Sequence, residues 1–207
     1  MSLGKRVIRL KNPFFVALIS YLIGNFSSAY ILGKRFENKD IRKFGSGNAG
    51  ATNALRVFGK KVGLFAFILD VFKGILAVYI GGLLLGDRGK LIAGVLVVLG
   101  HNWPIFLRFK GGKGIATSLG VVVSLHWPTA IICIGIGVLV IIITRYVSLG
   151  SIVAAGLVPI IGIVANRPFN KDFFITTLIL AILAICRHKD NIKRLINGEE
   201  FKLGERI

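Results

Sequence analysis

"TAIICIGIGVLVIIITRYV" (Thr129 to Val147) holds one charged residue, Arg145, in nineteen positions. A helix rises about 1.5 Å per residue and needs about 20 apolar residues to cross the hydrocarbon of a bilayer. This stretch therefore reads as a transmembrane helix, and the rest of the chain repeats the pattern. Apolar runs occupy 14–33, 62–85, 91–107, 114–125, 129–147, 149–165 and 173–186. The chain has 207 residues, 54% hydrophobic and 17% charged, against about 25% charged in soluble domains. Seven crossings use about 140 residues, which leaves loops and no separate soluble domain. The predicted fold is all-α: a polytopic transmembrane helical bundle of about seven spans, one domain over 1–207. The run 114–125 is short, and reads as a tilted or half-inserted helix whose end must be covered by protein or by a water-filled cavity.

The net charge of +18 would suggest nucleic acid in a soluble protein. In a chain this apolar it points instead to the lipid bilayer surface and to anionic substrates. Cys133 and Cys186 lie in separate apolar runs, and His101, His126 and His188 are dispersed, so neither a disulfide framework nor a metal site is expected. No cofactor is expected either.

Basic residues set the orientation. With the N-terminus outside, the inner side carries eight in 34–61, three in 108–113, Arg145, and six from Arg187 onward. The outer side carries four before residue 14, two in 86–90 and two in 166–172. The excess of Lys and Arg belongs in the cytoplasm, so N-outside is predicted. Lys5, Arg6, Arg9 and Lys11 ahead of an apolar run ending in "SSA" also fit a secretory signal peptide, a rival that would export the basic loop 34–61. In the N-outside arrangement every glycine-rich or polar-rich segment faces the cytoplasm.

The first such segment is "DIRKFGSGNAGATNALRVFGKK" (Asp40 to Lys61). Gly45, Gly47 and Gly50 match a dinucleotide fingerprint formally, with Asp70 twenty residues on. That motif needs a preceding apolar strand, whereas here the approach is basic and Asp70 sits in a span. Glycines still let backbone N–H groups converge on an anion. Ser46, Asn48, Thr52 and Asn53 add short polar groups, and Arg56 a planar donor. A solvated loop held to lipid head groups by its lysines is the plainer alternative.

The second segment, "GHNWPIFLRFKGGKGIATS" (Gly100 to Ser118), does not fit the nucleotide-binding pattern G-x-x-x-x-G-K-[ST]. Gly111, Gly112 and Gly114 allow a tight turn into a helix start, whose free N–H groups attract phosphate, and Lys110 and Lys113 add full charges. A basic turn anchored to lipid is the alternative. His101 reads as a packed histidine at a helix break. Asp70 and Lys73, three apart on one helix, read as a structural ion pair, although an intramembrane pair is also a candidate functional site. "RYVSLGS" (Arg145 to Ser151) offers a cation and the hydroxyls of Ser148 and Ser151. In "RHKDNIKRLINGEE" (Arg187 to Glu200), His188, Asn191 and Leu195 share one helical face.

Together "GSGNAGATNALR", "GHNWPIFLRFKGGKG" and "HKDNIKRLINGEE" resemble the bacterial acyl-phosphate:glycerol-3-phosphate acyltransferase family, integral membrane enzymes of phospholipid synthesis. In order and spacing they span Gly45 to Glu200. The resemblance implies transfer of a fatty acyl group from acyl phosphate to the 1-hydroxyl of glycerol 3-phosphate, giving lysophosphatidic acid and phosphate. It implies a multi-pass protein of the bacterial inner membrane with its active site toward the cytoplasm. The enzyme that makes acyl phosphate becomes an expected partner. It further implies catalytic roles for Ser46, Arg56, His188 and Asn191. Lys110, Gly111, Gly112, Lys113 and Gly114 would bind substrate, with Asn48, Thr52, Asn53 and Ser148 as further ligands. Asp70, Lys73 and a tail glutamate, Glu199 or its neighbour Glu200, are expected to be structural.

The dyad of other acyltransferases, a histidine with an aspartate five positions on, is absent: the positions are Phe106, Ile131 and Lys193. There is no Gly-x-Ser-x-Gly elbow. Direct attack without a covalent acyl-enzyme is therefore expected, with a substrate phosphate oxygen accepting the proton; His188 as general base is the competing possibility. The alternative from another class is a small organic-phosphate transporter, against which the absence of internal repeats and the grouping of motifs on one surface both argue.

Overall fold

The computed structural model describes residues 12–205. The basic N-terminal residues up to Lys11, and with them the signal-peptide alternative, lie outside the described residues. Within these bounds the chain is helical, with no strand. Four stretches are long and apolar enough to cross a membrane: Pro13–Glu37, Lys60–Leu107, Ile115–Thr144 and Val147–Ala165.

Three of the four are not straight. The first divides into α1 (Pro13–Gly24) and α2 (Ser28–Glu37), because Asn25, Phe26 and Ser27 interrupt the helix. The span read at 14–33 is thus a broken helix. A short α3 (Ala51–Phe58) follows inside the segment read as an open glycine loop. Its side chains alternate between apolar and polar with helical period, a signal that the glycines around it obscured.

α4 (Lys60–Asn102) reverses at Gly86, whose φ is +67°. Its two arms pack so closely that neither Gly81 nor Gly89 has room for a Cβ. α5 (Ile115–Thr144) reverses at His126, ahead of Pro128. The 30 residues of α5 would extend about 45 Å if straight. Instead Lys113 before it and Ser148 after it meet the same pair, Asn191 and Glu200. The short run 114–125 is therefore the outgoing arm of a helical hairpin. α6 (Val147–Ala165), α7 (Lys171–Arg187) and α8 (Lys189–Ile196) complete the chain.

Small residues sit at the helix crossings: Gly24 of α1 on Gly100 of α4, Gly74 on Thr117, Gly120 on Val71, and Gly137 on Gly150. Without a hydrophobic drive between helices in lipid, such close backbone approach supplies the packing. Val16, Val78, Val97, Val98 and Val121 fill the centre. Ile142, Ile143 and Tyr79 are 70%, 72% and 63% exposed, an apolar exterior suited to lipid.

The break at Gly24–Ser27 frees carbonyls that must find donors. Lys73 Nζ donates to Phe26 O at 2.7 Å and to Gly24 O at 3.3 Å, and pairs with Asp70 Oδ1 at 2.8 Å. Ser28 Oγ donates to the same oxygen at 2.8 Å. The Asp70–Lys73 pair has the further partners that spacing alone did not reveal.

Candidate functional site

The segments rich in glycine and cations meet at one end of the bundle. Arg42 Nη1 donates to Leu107 O at 3.0 Å, Arg187 Nη2 to Gly112 O at 2.9 Å, and Leu203 N to Arg145 O at 2.7 Å. Arg56 stands 5.3 Å from the Phe201 ring centroid. At the same end, with Arg56 in its wall, opens a cavity of about 360 Å³.

The cavity has two characters. Between the arms of α5 and α6 it is apolar, lined by Leu119, Val122, Cys133, Val138, Ile141 and Val158. At the other end three helices begin: α3 at Ala51, α5 at Ile115 and α6 at Val147, and first-turn residues of each line the wall. Free N–H groups and the positive ends of helix dipoles favour an anion there. Two of these starts depend on local backbone chemistry. Gly45 has φ +57°, and a Cβ there would run into Asn53 Oδ1. Gly114, the N-cap of α5, has φ +81°, a left-handed conformation that favours glycine.

Ser46, Asn48, Thr52, Asn53 and Arg56 come to this end from the first segment, and Lys113 and Gly114 from the second. Ser148, His188, Asn191 and Glu200 close it. Lys113 Nζ donates to Asn191 Oδ1. Asn191 Nδ2 donates to Glu200 Oε1 at 2.7 Å, Ser148 Oγ to the same oxygen at 3.0 Å, and Arg194 Nε to Oε2 at 2.8 Å. One buried carboxylate thus orients three side chains. Of the two tail glutamates offered by the sequence, that one is Glu200; Glu199 is exposed. Adjacent glutamates on a turn are not told apart by sequence.

Asn53 Nδ2 donates to Phe44 O and Asn48 O at 3.0 Å each and contacts Ile41 O at 3.3 Å, while Oδ1 accepts Ser46 N–H at 3.0 Å. Its amide is committed to the loop backbone, so it holds the loop in shape from its place in the cavity wall. Lys110, Gly111 and Gly112 do not line the cavity: Lys110 is exposed, and the two glycines are packed between His101 and Arg187. Lys113 is the cation of that segment that reaches the cavity. His101 and Arg194 are the residues that sequence reasoning did not assign to the site.

Burial, chiefly, lowers Lys113 to about 8, with the neighbouring guanidinium groups adding to the effect and Glu200 opposing it. Burial also lowers Arg56 from its ordinary value, which leaves it cationic at neutral pH. His188 is pushed down to about 4, first by burial and then by Lys113. Its Nδ1–H donates to Ala184 O at 2.7 Å, so the proton resides on Nδ1 and Nε2 keeps its lone pair. The result is a neutral imidazole, an acceptor and a weak base, among cations and helix N-termini. Such a place can hold phosphate beside a hydroxyl.

Residues 14–198 match the family described as glycerol-3-phosphate acyltransferase. The chain belongs to that family. The glycerol-3-phosphate acyltransferase of Thermoanaerobacter sp. (strain X514) is 53% identical over 192 residues, 92% of this chain and 95% of the relative. That of Clostridioides difficile (strain 630) is 46% identical over 197 residues, covering 92% and 95%. Among solved structures, the glycerol 3-phosphate form of PlsY (YgiH), an integral membrane glycerol 3-phosphate acyltransferase, superposes with a TM-score of 0.87 at 35% identity, covering 93% of this chain and 96% of that one. Its lysophosphatidic acid form gives 0.84 at 34% identity, covering 93% and 95%. The all-helical membrane architecture of this acyltransferase-family chain is thus shared with a solved relative over nearly its full length.

Proposed function

We propose that the chain transfers a fatty acyl group from acyl phosphate to the 1-hydroxyl of sn-glycerol 3-phosphate, releasing lysophosphatidic acid and inorganic phosphate. The observation that carries this reading is the two-part cavity, cationic at one end and apolar at the other, which matches a product with one phosphate and one chain. That PlsY was solved with each of two such ligands supports the same reading.

Seven membrane crossings follow if α1–α2, the two arms of α4, the two arms of α5, α6 and α7 each cross once. The bias of Lys and Arg then puts the N-terminus outside and the cavity mouth in the cytoplasm of the bacterial inner membrane, within reach of a soluble enzyme that makes acyl phosphate.

Acyl phosphate is a mixed anhydride with a good leaving group. The 1-hydroxyl attacks the acyl carbon; the bond from that carbon to the bridging oxygen breaks and phosphate leaves with the oxygen; the hydroxyl proton passes to a phosphate oxygen. An oxygen with a second pKa near 6 is a better base than His188 at about 4, so the substrate takes the proton, and His188 Nε2, which can only accept, holds the acceptor through its neighbouring 2-hydroxyl. Arg56 and Lys113 stabilise charge developing on the carbonyl and phosphate oxygens, and Ser46 Oγ donates from the facing loop. No covalent acyl-enzyme forms. Purified protein given glycerol 3-phosphate and, separately, palmitoyl phosphate, palmitoyl-CoA or palmitoyl-acyl carrier protein tests this directly. Product from acyl phosphate alone is expected; product from a thioester alone would overturn the donor assignment, and product from none would overturn the activity.

A further inference from the structure

Beside the cavity lies a cluster of ionisable groups that the transfer step does not use. Asp70 and Lys73 on the first arm of α4, and His101 near the end of the second, are 1%, 4% and 5% exposed. Lys73 Nζ has four acceptors for its three protons: Asp70 Oδ1, Phe26 O and Gly24 O, and His101 Nδ1 at 2.7 Å. An ammonium only donates, so Nδ1 accepts and the proton of a neutral His101 sits on Nε2. The cluster joins the broken helix α1–α2 to both arms of α4.

From His101 the contacts continue into the loop that carries Lys113. The His101 carbonyl accepts the Gly112 N–H at 3.0 Å. A Cβ on Gly112 would run into the imidazole, and one on Gly111 into the His101 carbonyl and Pro104. On the other side Arg187 donates to Gly112 O at 2.9 and 3.1 Å while its guanidinium stands 5.3 Å from the Trp103 ring centroid. Gly111 and Gly112 therefore run in a slot one backbone wide. Lys113 is the next residue, half-buried in the cavity wall with its Nζ on Asn191 Oδ1.

We propose that His101, held as the Nε2–H tautomer by Lys73 and Asp70, is a positioning residue that clamps the Gly111–Gly112 backbone against Arg187 and so sets Lys113 where the acceptor's phosphate binds. The identity of that acceptor rests on the acyl-transfer reading above; the clamp itself does not. It gives the paired glycines a purpose that lipid anchoring lacks, and it explains why an intramembrane ion pair ends on a loop at the cavity.

The test is a double-mutant cycle of His101→Ala and Gly112→Ala, read by steady-state kinetics and by amide hydrogen exchange over 108–118. His101→Ala is expected to raise KM for glycerol 3-phosphate about tenfold, with kcat and KM for acyl phosphate within about threefold. Gly112→Ala should be severe alone and much milder beside His101→Ala, because removing the ring makes room for the new methyl. His101→Asn, which can still accept from Lys73, should recover part of the affinity, and it carries the same comparisons if His101→Ala does not fold. Exchange at 111–114 should quicken about tenfold in His101→Ala. Independent, multiplying effects of the two substitutions, or unchanged exchange at 111–114, would overturn the clamp. Should the wild-type protein make no lysophosphatidic acid, the acyl-transfer reading fails, and the exchange data still decide the clamp in either direction.

Discussion

Lys73 and Lys113 are both lysines drawn out of water, and they are buried for opposite ends. Lys73 is surrounded by acceptors, with Asp70, His101 and two carbonyls within 3.3 Å, so nothing is left to bind. Lys113 has Asn191 for a neighbour and faces a cavity. An ion whose partners are all internal stabilises one arrangement of helices; an ion beside empty space is poised for an anion from outside. The contrast teaches how to sort buried charges in a membrane protein: by what remains unmatched after the internal bonds are made.

The largest effects should break the closed cluster. Lys73→Met leaves Asp70 buried without its cation, a loss of about 3–5 kcal/mol in stability, measured by unfolding in mixed micelles. Adding Asp70→Asn should return much of it; no recovery would mean that the ammonium mattered for the carbonyls of the α1–α2 break and not for the pair. Next comes the open end. Arg56→Ala should lower kcat/KM by about a hundredfold to a thousandfold, equivalent to about 3–4 kcal/mol of transition-state stabilisation, while the unfolding midpoint stays put. Lys113→Ala removes a charge-assisted contact of about 1.5–3 kcal/mol and should raise KM for glycerol 3-phosphate about tenfold to a hundredfold.

The pH dependence sharpens the same contrast. Lys113 titrates near 8, below its ordinary value because it is buried. It is cationic below that pH and loses its charge as pH rises through it, so KM for glycerol 3-phosphate should climb above about pH 8. Lys113→Arg keeps its charge far beyond that pH and should abolish the climb. The smallest effect is expected for Lys110→Ala. Lys110 is exposed and away from the cavity, and its KM should stay within about twofold of wild type; a larger change would bring that lysine back to the ligand.

Much of this was legible in the chain. Apolar length located the helices, since no soluble fold accommodates runs such as 129–147. Gly86 and His126 fall where the apolar runs at 62–85 and 114–125 end, so both hairpins were visible as gaps. The break at Asn25–Ser27 was not, because three residues with ordinary hydropathy on either side do not lower a window average. What repairs that break, Lys73, lies 49 and 47 positions from the carbonyls it meets, and no spacing rule reaches so far. At the site, the polar residues of the first and last segments were found by type and grouping. The part of Asn53 in tying its loop together was not visible, because a buried amide that does so and one that binds a ligand look alike in sequence. Glu200 was not separated from Glu199 for want of any periodic signal past α8. The glycines at 111 and 112 were noticed for their conformational freedom, whereas their use is the narrowness of the slot.

Pre-steady-state release of phosphate is the most direct measurement. Protein is mixed with excess palmitoyl phosphate in the absence of glycerol 3-phosphate, and phosphate and acylated protein are followed together. Direct attack by the glycerol hydroxyl predicts no burst and no acyl group on the chain until glycerol 3-phosphate is added. A burst equal to the protein concentration, with the acyl group recovered on a side chain, would contradict it.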